Sequence, residues 1–271
     1  MQSGYGNREP GPSAGRRSCG VSVAPVLFMA VFLASSSALS RPSARTFQTR
    51  TFQTKTSNDT TSLQDILAGM DKAAADFTSL EGDLEYTKVT VVVNDRSTQR
   101  GKIYFEKSGG KPGSKSGEAT RVMIAFFEPA EKYVLFANDK VDFYQPKIAE
   151  VDEYQLSQKQ DLVEQFLLLG FGTPGSELRR AYQVSLRGEE NLDGQQAFLL
   201  ELIPKSAKVA AQLERIDLWI SRQNWQPIQQ KFYEPGGDYL IARYTGLKWN
   251  AKIPGKNFRL PLKGKVRTVT P

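Results

Sequence analysis

From Gly82 onward the chain is written largely in period two, and that restricts it to a sheet-built protein. Gly101–Lys107 sets Ile103 and Phe105 against Lys102, Tyr104 and Glu106, the alternation of a strand with one wet face. Leu84–Val93 is rich in β-branched residues, and Val122–Phe127 is apolar on both faces. Tyr133–Ala137 and Val141–Gln145 flank Asn138-Asp139-Lys140, a hairpin signal. Further strands are expected at Ile148–Tyr154, Tyr182–Arg187, Ala197–Ile203, Leu213–Ile220, Pro227–Glu234 and Asp238–Thr245, with Pro235-Gly236-Gly237 as a turn. Phe258–Val269 reads as a final extended pair. This is about eleven short strands at the spacing of an antiparallel sheet or barrel, without the βαβ alternation of a parallel fold.

Two segments break the period. Ser62–Leu80 places Leu63, Ile66, Leu67, Met70, Ala74 and Phe77 at three- and four-residue spacing, one apolar stripe of a helix. Either Thr61 with Gln64 or Ser62 with Asp65 supplies a capping box. Asp161–Gly170 reads as a short, strongly apolar helix, closed by a Gly/Pro/Ser-rich stretch from Gly170 to Ser176. Val122–Phe127 and Phe166–Leu169 carry more apolar surface than a sheet with one solvated face needs. A sheet curving around helices, with apolar side chains lining a concavity, would use it.

Composition removes many chemistries. There is no histidine and one cysteine, so no Ser-His-Asp triad, Cys-His dyad, His-bearing zinc site or intrachain disulfide is available. Net charge is +7, but no helix or stripe concentrates Lys and Arg as nucleic-acid binding requires. Gly109–Ser116 comes one residue from a phosphate-binding loop, with Ser114 in place of a glycine, yet it joins two strand-like segments instead of opening a helix. Ser108 near Lys111, and Ser206 between Lys205 and Lys208, sit in polar loops where nothing depresses a lysine pKa. Asp152-Glu153 and Glu189-Glu190 are strand neighbours facing opposite ways. Lys231-Phe232-Tyr233 and Arg243–Trp249 interleave cations with aromatics, as ordinary strands also do. The expectation is a protein with no catalytic site, cofactor or metal.

The N-terminus reads as an address. Arg16 and Arg17 precede the uncharged stretch 21–34, and the small residues Ser35–Ser40 follow, the order of a secretory signal peptide. The apolar stretch is shorter than the ~20 residues of a membrane span, and Cys19 stands before it, out of place for lipidation. Residues 1–40 are expected to be cleaved near Ser40, residues 41–60 to form a flexible leader, and residues 61–271 one exported, periplasmic domain.

Several stretches, in order, resemble the LolA-like periplasmic lipoprotein carriers and the outer membrane lipoprotein-sorting proteins related to them. They are Gly101–Lys107 (GKIYFEK), Arg121–Pro129 (RVMIAFFEP), Asn138-Asp139-Lys140 with Phe143–Lys147 (FYQPK), and Gln165–Gly172 (QFLLLGFG). Ile216–Ile220 (IDLWI), Pro227 with Gln229–Phe232, Gly237-Asp238-Tyr239 and Phe258–Leu262 (FRLPL) follow. The resemblance implies an α+β, mainly β fold: an incomplete antiparallel β-barrel with helices plugging its concave face. It implies an apolar cavity for acyl chains of lipoproteins or other lipids, lined by Ile103, Phe105, Val122, Ile124, Phe126, Phe143 and Leu218 and capped by Phe166, Leu167 and Leu169. The family's lid-tying arginine falls on Lys107, followed by Ser108 where the pattern has proline; lysine lacks the planar fork. Implied partners are an inner-membrane donor and an outer-membrane acceptor, with the carrier a monomer and no nucleic acid involved. Relatives of this fold also act as envelope sensors that regulate a sigma factor, the alternative reading.

Overall fold

The computed structural model describes residues 61–107, 120–138, 140–155 and 171–270. The expected signal peptide and leader, the phosphate-loop-like stretch and the apolar helix Asp161–Gly170 lie outside the described residues.

Helix α1 spans Leu63–Ala75. Of the two possible boxes, Ser62 with Asp65 forms: Ser62 Oγ accepts the Asp65 N–H at 3.2 Å and Asp65 accepts the Ser62 N–H at 3.1 Å. The helix stops short of the expected Leu80 because Asn250 takes over the next backbone groups. Its amide donates to the Asp76 carbonyl at 2.9 Å and its Oδ1 accepts the Thr78 N–H at 2.8 Å. The stripe residue Phe77 thus lies in the link to β1.

Twelve strands form one sheet. They are β1 (Ser79–Thr90), β2 (Asp95–Glu106), β3 (Arg121–Glu128), β4 (Lys132–Ala137), β5 (Lys140–Gln145), β6 (Glu150–Gln155), β7 (Tyr182–Leu192), β8 (Gln195–Pro204), β9 (Arg215–Ser221), β10 (Pro227–Tyr233), β11 (Tyr239–Trp249) and β12 (Arg267–Val269). The order is β12-β6-β5-β4-β3-β2-β1-β11-β10-β9-β8-β7. All neighbours are antiparallel except β12 with β6. The end strands β12 and β7 do not pair, so the sheet is an open, incomplete barrel.

Four expectations change. β1 ends at Thr90 and Val91–Val93 belong to the turn, closed by Asn94 at φ 49°, a conformation asparagine tolerates and valine does not. The Gly/Pro-rich stretch contains helix α2 (Gly175–Ala181). A Cβ on Gly175 would come within 2.4 Å of the Leu67 carbonyl oxygen, so glycine there lets α2 close on α1. A short α3 (Ala207–Ala210) precedes β9. Most of Phe258–Val269 is an irregular strap, entered through a 3-10 turn at Gly255–Phe258, and only Arg267–Val269 forms a strand.

The strap explains the two-sided apolar β3. Met123 faces away from α1 and packs with Ile253 and Phe258, flanked by Tyr104, Tyr133, Leu135 and Leu260. Arg121 stacks on Phe258, 4.6 Å from the ring centroid, and the Lys263 N–H donates to the Tyr144 hydroxyl at 3.3 Å. Met123 is therefore convex-face core, whereas Phe127 remains half exposed. Phe258→Ala should remove about 3 kcal/mol, read as a lower midpoint in urea unfolding with cooperativity retained.

Candidate functional site

Register places one row of side chains after another on the inner face. Phe105 lies opposite Leu80 and Val122, and Ile103 opposite Ile124. Ile124 lies opposite Val134, and Val134 opposite Phe143. Phe126 is opposite Gly101, where a Cβ would sit 2.3 Å from the Ala125 carbonyl oxygen. On the other side of β1, Leu84 faces Tyr244 and Tyr86 faces Ala242; Gln230, Leu218 and Leu200 continue the Tyr86 row. This is the helix side: Phe77 meets Phe105 at 5.2 Å between ring centroids and Trp249 at 6.0 Å. Gly69 of α1 sits flat on Trp225, which stacks on Phe198 at 5.7 Å.

Ile103, Phe105, Val122, Ile124, Phe126, Phe143 and Leu218 therefore share one face, as alternation requires. Six of the seven are buried, none more than 5% exposed. Leu218, at 0%, is packed between Leu200 and Gln230, away from the β2–β6 surface. Ile124 is different: it is part-exposed, although its neighbours Ile103, Val122, Phe126 and Val134 are buried. Tyr86 and Tyr154 are part-exposed on the same face. Tyr86 lies 6.1 Å from Phe126 and Tyr154 5.6 Å from Phe143, between centroids. Together they trace an apolar trough from β1 across β3 to β6. Phe166, Leu167 and Leu169 lie outside the described residues. Lys107 follows β2 with its N–H on the Thr78 carbonyl at 2.8 Å; its side chain is exposed, and among the described residues it makes no hydrogen bond or ion pair to a helix.

Polar groups edge the trough. Lys132, opposite Phe126, is half-buried, and burial lowers its pKa. Asp152, opposite Phe143, has its pKa raised by burial and then by the charge of Glu150. Burial likewise pushes up the hydroxyls of Tyr86 and Tyr244; the Tyr244 hydroxyl donates to Gln230 at 3.0 Å. Beside Tyr86, Glu234 keeps a buried Oε1 without a hydrogen-bond partner. Of these flanking groups the sequence reading singles out only Asp152, as half of the adjacent carboxylates Asp152-Glu153, and not as a group facing the apolar surface. Alternation carried the signal for Lys132, two residues from Val134, and for Asp152, two residues from Tyr154.

Other candidates resolve as structure. Glu153 pairs with Lys140 at 2.8 Å. Glu189 pairs with Arg222, and Glu190 accepts the Trp219 indole N–H, both at 2.7 Å. Lys231 lies over the rings of Tyr233 and Tyr239, at 4.5 and 4.0 Å, while Phe232 is buried. Ser206 caps α3. Among the described residues no cluster of three or more metal-ligating side chains occurs.

Glu234 supplies a pH signature. Burial raises its pKa above the unfolded value of 4.5, with Lys88 offsetting part of the effect. The neutral acid is thus favoured in the fold: this contribution is present below about pH 4.5 and lost as pH rises through the folded pKa. Glu234→Gln should raise Tm at pH 7 by about 2–4 °C, no more than about 1 kcal/mol for a half-buried group. Thermal scans at pH 7 and pH 4 should show the gain disappear at the lower pH.

The fold has counterparts among solved structures. The chain is similar to a chain of the Pseudomonas aeruginosa MucA/MucB complex at TM-score 0.45 and 18% identity, covering 76% of this chain and 63% of that one. It is similar to the LolA superfamily protein NE2245 from Nitrosomonas europaea at TM-score 0.35 and 16% identity, covering 73% and 97%. A third likeness is to an outer membrane lipoprotein-sorting protein domain from Vibrio parahaemolyticus, described as putative, at TM-score 0.39 and 13% identity, covering 72% and 94%. The chain thus spans less than two thirds of the MucA/MucB chain it matches. No curated protein matches the sequence. A family model described as "-like: Uncharacterized protein" matches residues 120–258, from the start of β3 to the 3-10 turn of the strap. That match takes in more than half of the sequence, and the chain belongs to this family.

Proposed function

We propose that the protein is a non-enzymatic periplasmic carrier that holds an acyl chain in the trough of its inner face. The observation that carries the reading is the exposure of Ile124 at the centre of an otherwise buried apolar surface. A packed core closes over such a residue, since interiors match crystals in density. An acyl chain lying there would gain about 0.8 kcal/mol for each methylene taken from water. Phe105, Ile103, Val122, Phe126 and Phe143 form the walls in this proposal, with Tyr86 and Tyr154 at the two ends. Leu218 belongs to the packed core, not the trough. The carrier would take its cargo from an inner-membrane donor and deliver it to an outer-membrane acceptor.

Native mass spectrometry of the purified protein should show co-purified lipid, and delipidation should lower Tm, because a ligand of the folded state stabilises it by mass action. Ile124→Glu would place a charge in the trough, where desolvation disfavours it. It should abolish binding of a fatty-acid fluorophore while the fold survives, because water already reaches this site. A folded Ile124→Glu variant with wild-type acyl affinity would overturn the proposal.

A further inference from the structure

Antiparallel pairing sets the ends of the sheet. β1, β3, β5, β8 and β10 all run toward one end, where the connections β1–β2, β3–β4, β5–β6, β8–β9 and β10–β11 lie. Every large hydrophobic side chain exposed among the described residues maps to that end. Val91, Val92 and Val93 form the β1–β2 tip, exposed by 50%, 87% and 69%. Phe127 and Ile203 are the penultimate residues of β3 and β8, and Ile148 lies in the β5–β6 connection. Leu262 of the strap joins them: the next residue, Lys263, donates its N–H to Tyr144 near the end of β5, and its ammonium lies 3.9 Å from Glu131 in the β3–β4 connection. Among the described residues at the opposite end, the β7–β8 turn is Asp193-Gly194, and the β9–β10 connection opens with Arg222-Gln223-Asn224 before the part-exposed Trp225.

Scattered exposed hydrophobics are ordinary, but their collection on one rim is not. We propose that this rim docks on a lipid bilayer, with Val91–Val93 as its wedge. Successive side chains around a tight tip point different ways. A protein groove would cover one side of the tip, whereas fluid acyl chains reach all of it. The tip is held for such a role: the Val91 N–H donates to Asp238 at 2.9 Å, and the Val91 carbonyl accepts the Asn94 N–H at 3.1 Å. Backbone groups satisfied in this way lower the cost of entering a medium poor in water. Exposed cations stand behind the apolar points, Arg96 beside the valines, Lys147 beside Ile148 and Lys208 on α3 next to the β8 end. This docking does not depend on acyl binding in the trough.

The full chain carrying Cys19→Ser and Val92→Cys is labelled with the polarity-sensitive fluorophore NBD and mixed with phosphatidylethanolamine/phosphatidylglycerol vesicles. The emission should shift to the blue, and nitroxide-bearing acyl chains should quench it. The same label at Gln223→Cys, on the opposite end, should keep its aqueous spectrum. A Val91→Ser/Val92→Ser/Val93→Ser variant with unchanged Tm should partition into vesicles about tenfold less than wild type, or weaker still. The proposal is overturned if the wild-type chain does not bind vesicles. It is equally overturned if the label at 92 responds no more than the label at 223, or if the triple variant binds as wild type does.

Discussion

A sheet that is apolar on both faces must be covered twice, and the rest of this structure follows from how that is done. On the convex side the strap lays Ile253, Phe258 and Leu260 over Met123, Tyr104, Tyr133 and Leu135. On the inner side α1 settles on the β8–β11 half, made possible by Gly69 lying flat against Trp225 and Gly175 against the α1 backbone. The bulge at Gly101, where no Cβ fits against the Ala125 carbonyl, brings β2 and β3 together beneath Phe126. The two coverings differ in kind. The strap seals its face, whereas Ile124, Tyr86 and Tyr154 stay partly open on the other.

Both faces carry ionisable groups. Along the convex face, charges meet partners: Lys140 with Glu153, Arg187 with Glu201, and Lys231 over two tyrosine rings. Exposed pairs of this kind contribute little energy, and Asp142 on the same face keeps a buried Oδ1 without a hydrogen-bond partner, its pKa raised by burial and then by the charge of Glu153. On the inner face Lys132, Asp152 and Glu234 all have pKa values pushed toward the neutral form by burial. In the proposed carrier these groups would form the polar edge of an apolar floor.

Much of this was legible in the sequence, because strand alternation is local. The pattern through Ile103, Phe105, Val122, Ile124 and Phe126 names the inner face correctly, and Ser62 with Asp65 marks the start of α1. What escaped depends on contacts distant in sequence. Leu84–Val93 reads as one strand because valine favours strands; only Asn94 betrays the turn. Gly175 reads as a loop residue until Leu67 is seen above it. The strap's hold on Met123 joins residues far apart in the chain, and no periodicity reports it. The exposure of Ile124, on which the functional reading rests, is a property of the packing around it and has no sequence signature.

The central claim is that the inner trough, and not the sealed convex face, takes the acyl chain. Photo-crosslinking with a diazirine-bearing fatty acid, followed by peptide mapping, tests it most directly. The account predicts adducts on the β1, β3 and β6 peptides carrying Tyr86, Ile124 and Tyr154. Crosslinks confined to strap residues such as Phe258 and Leu260, or no crosslinks above a non-lipid diazirine control, would contradict it.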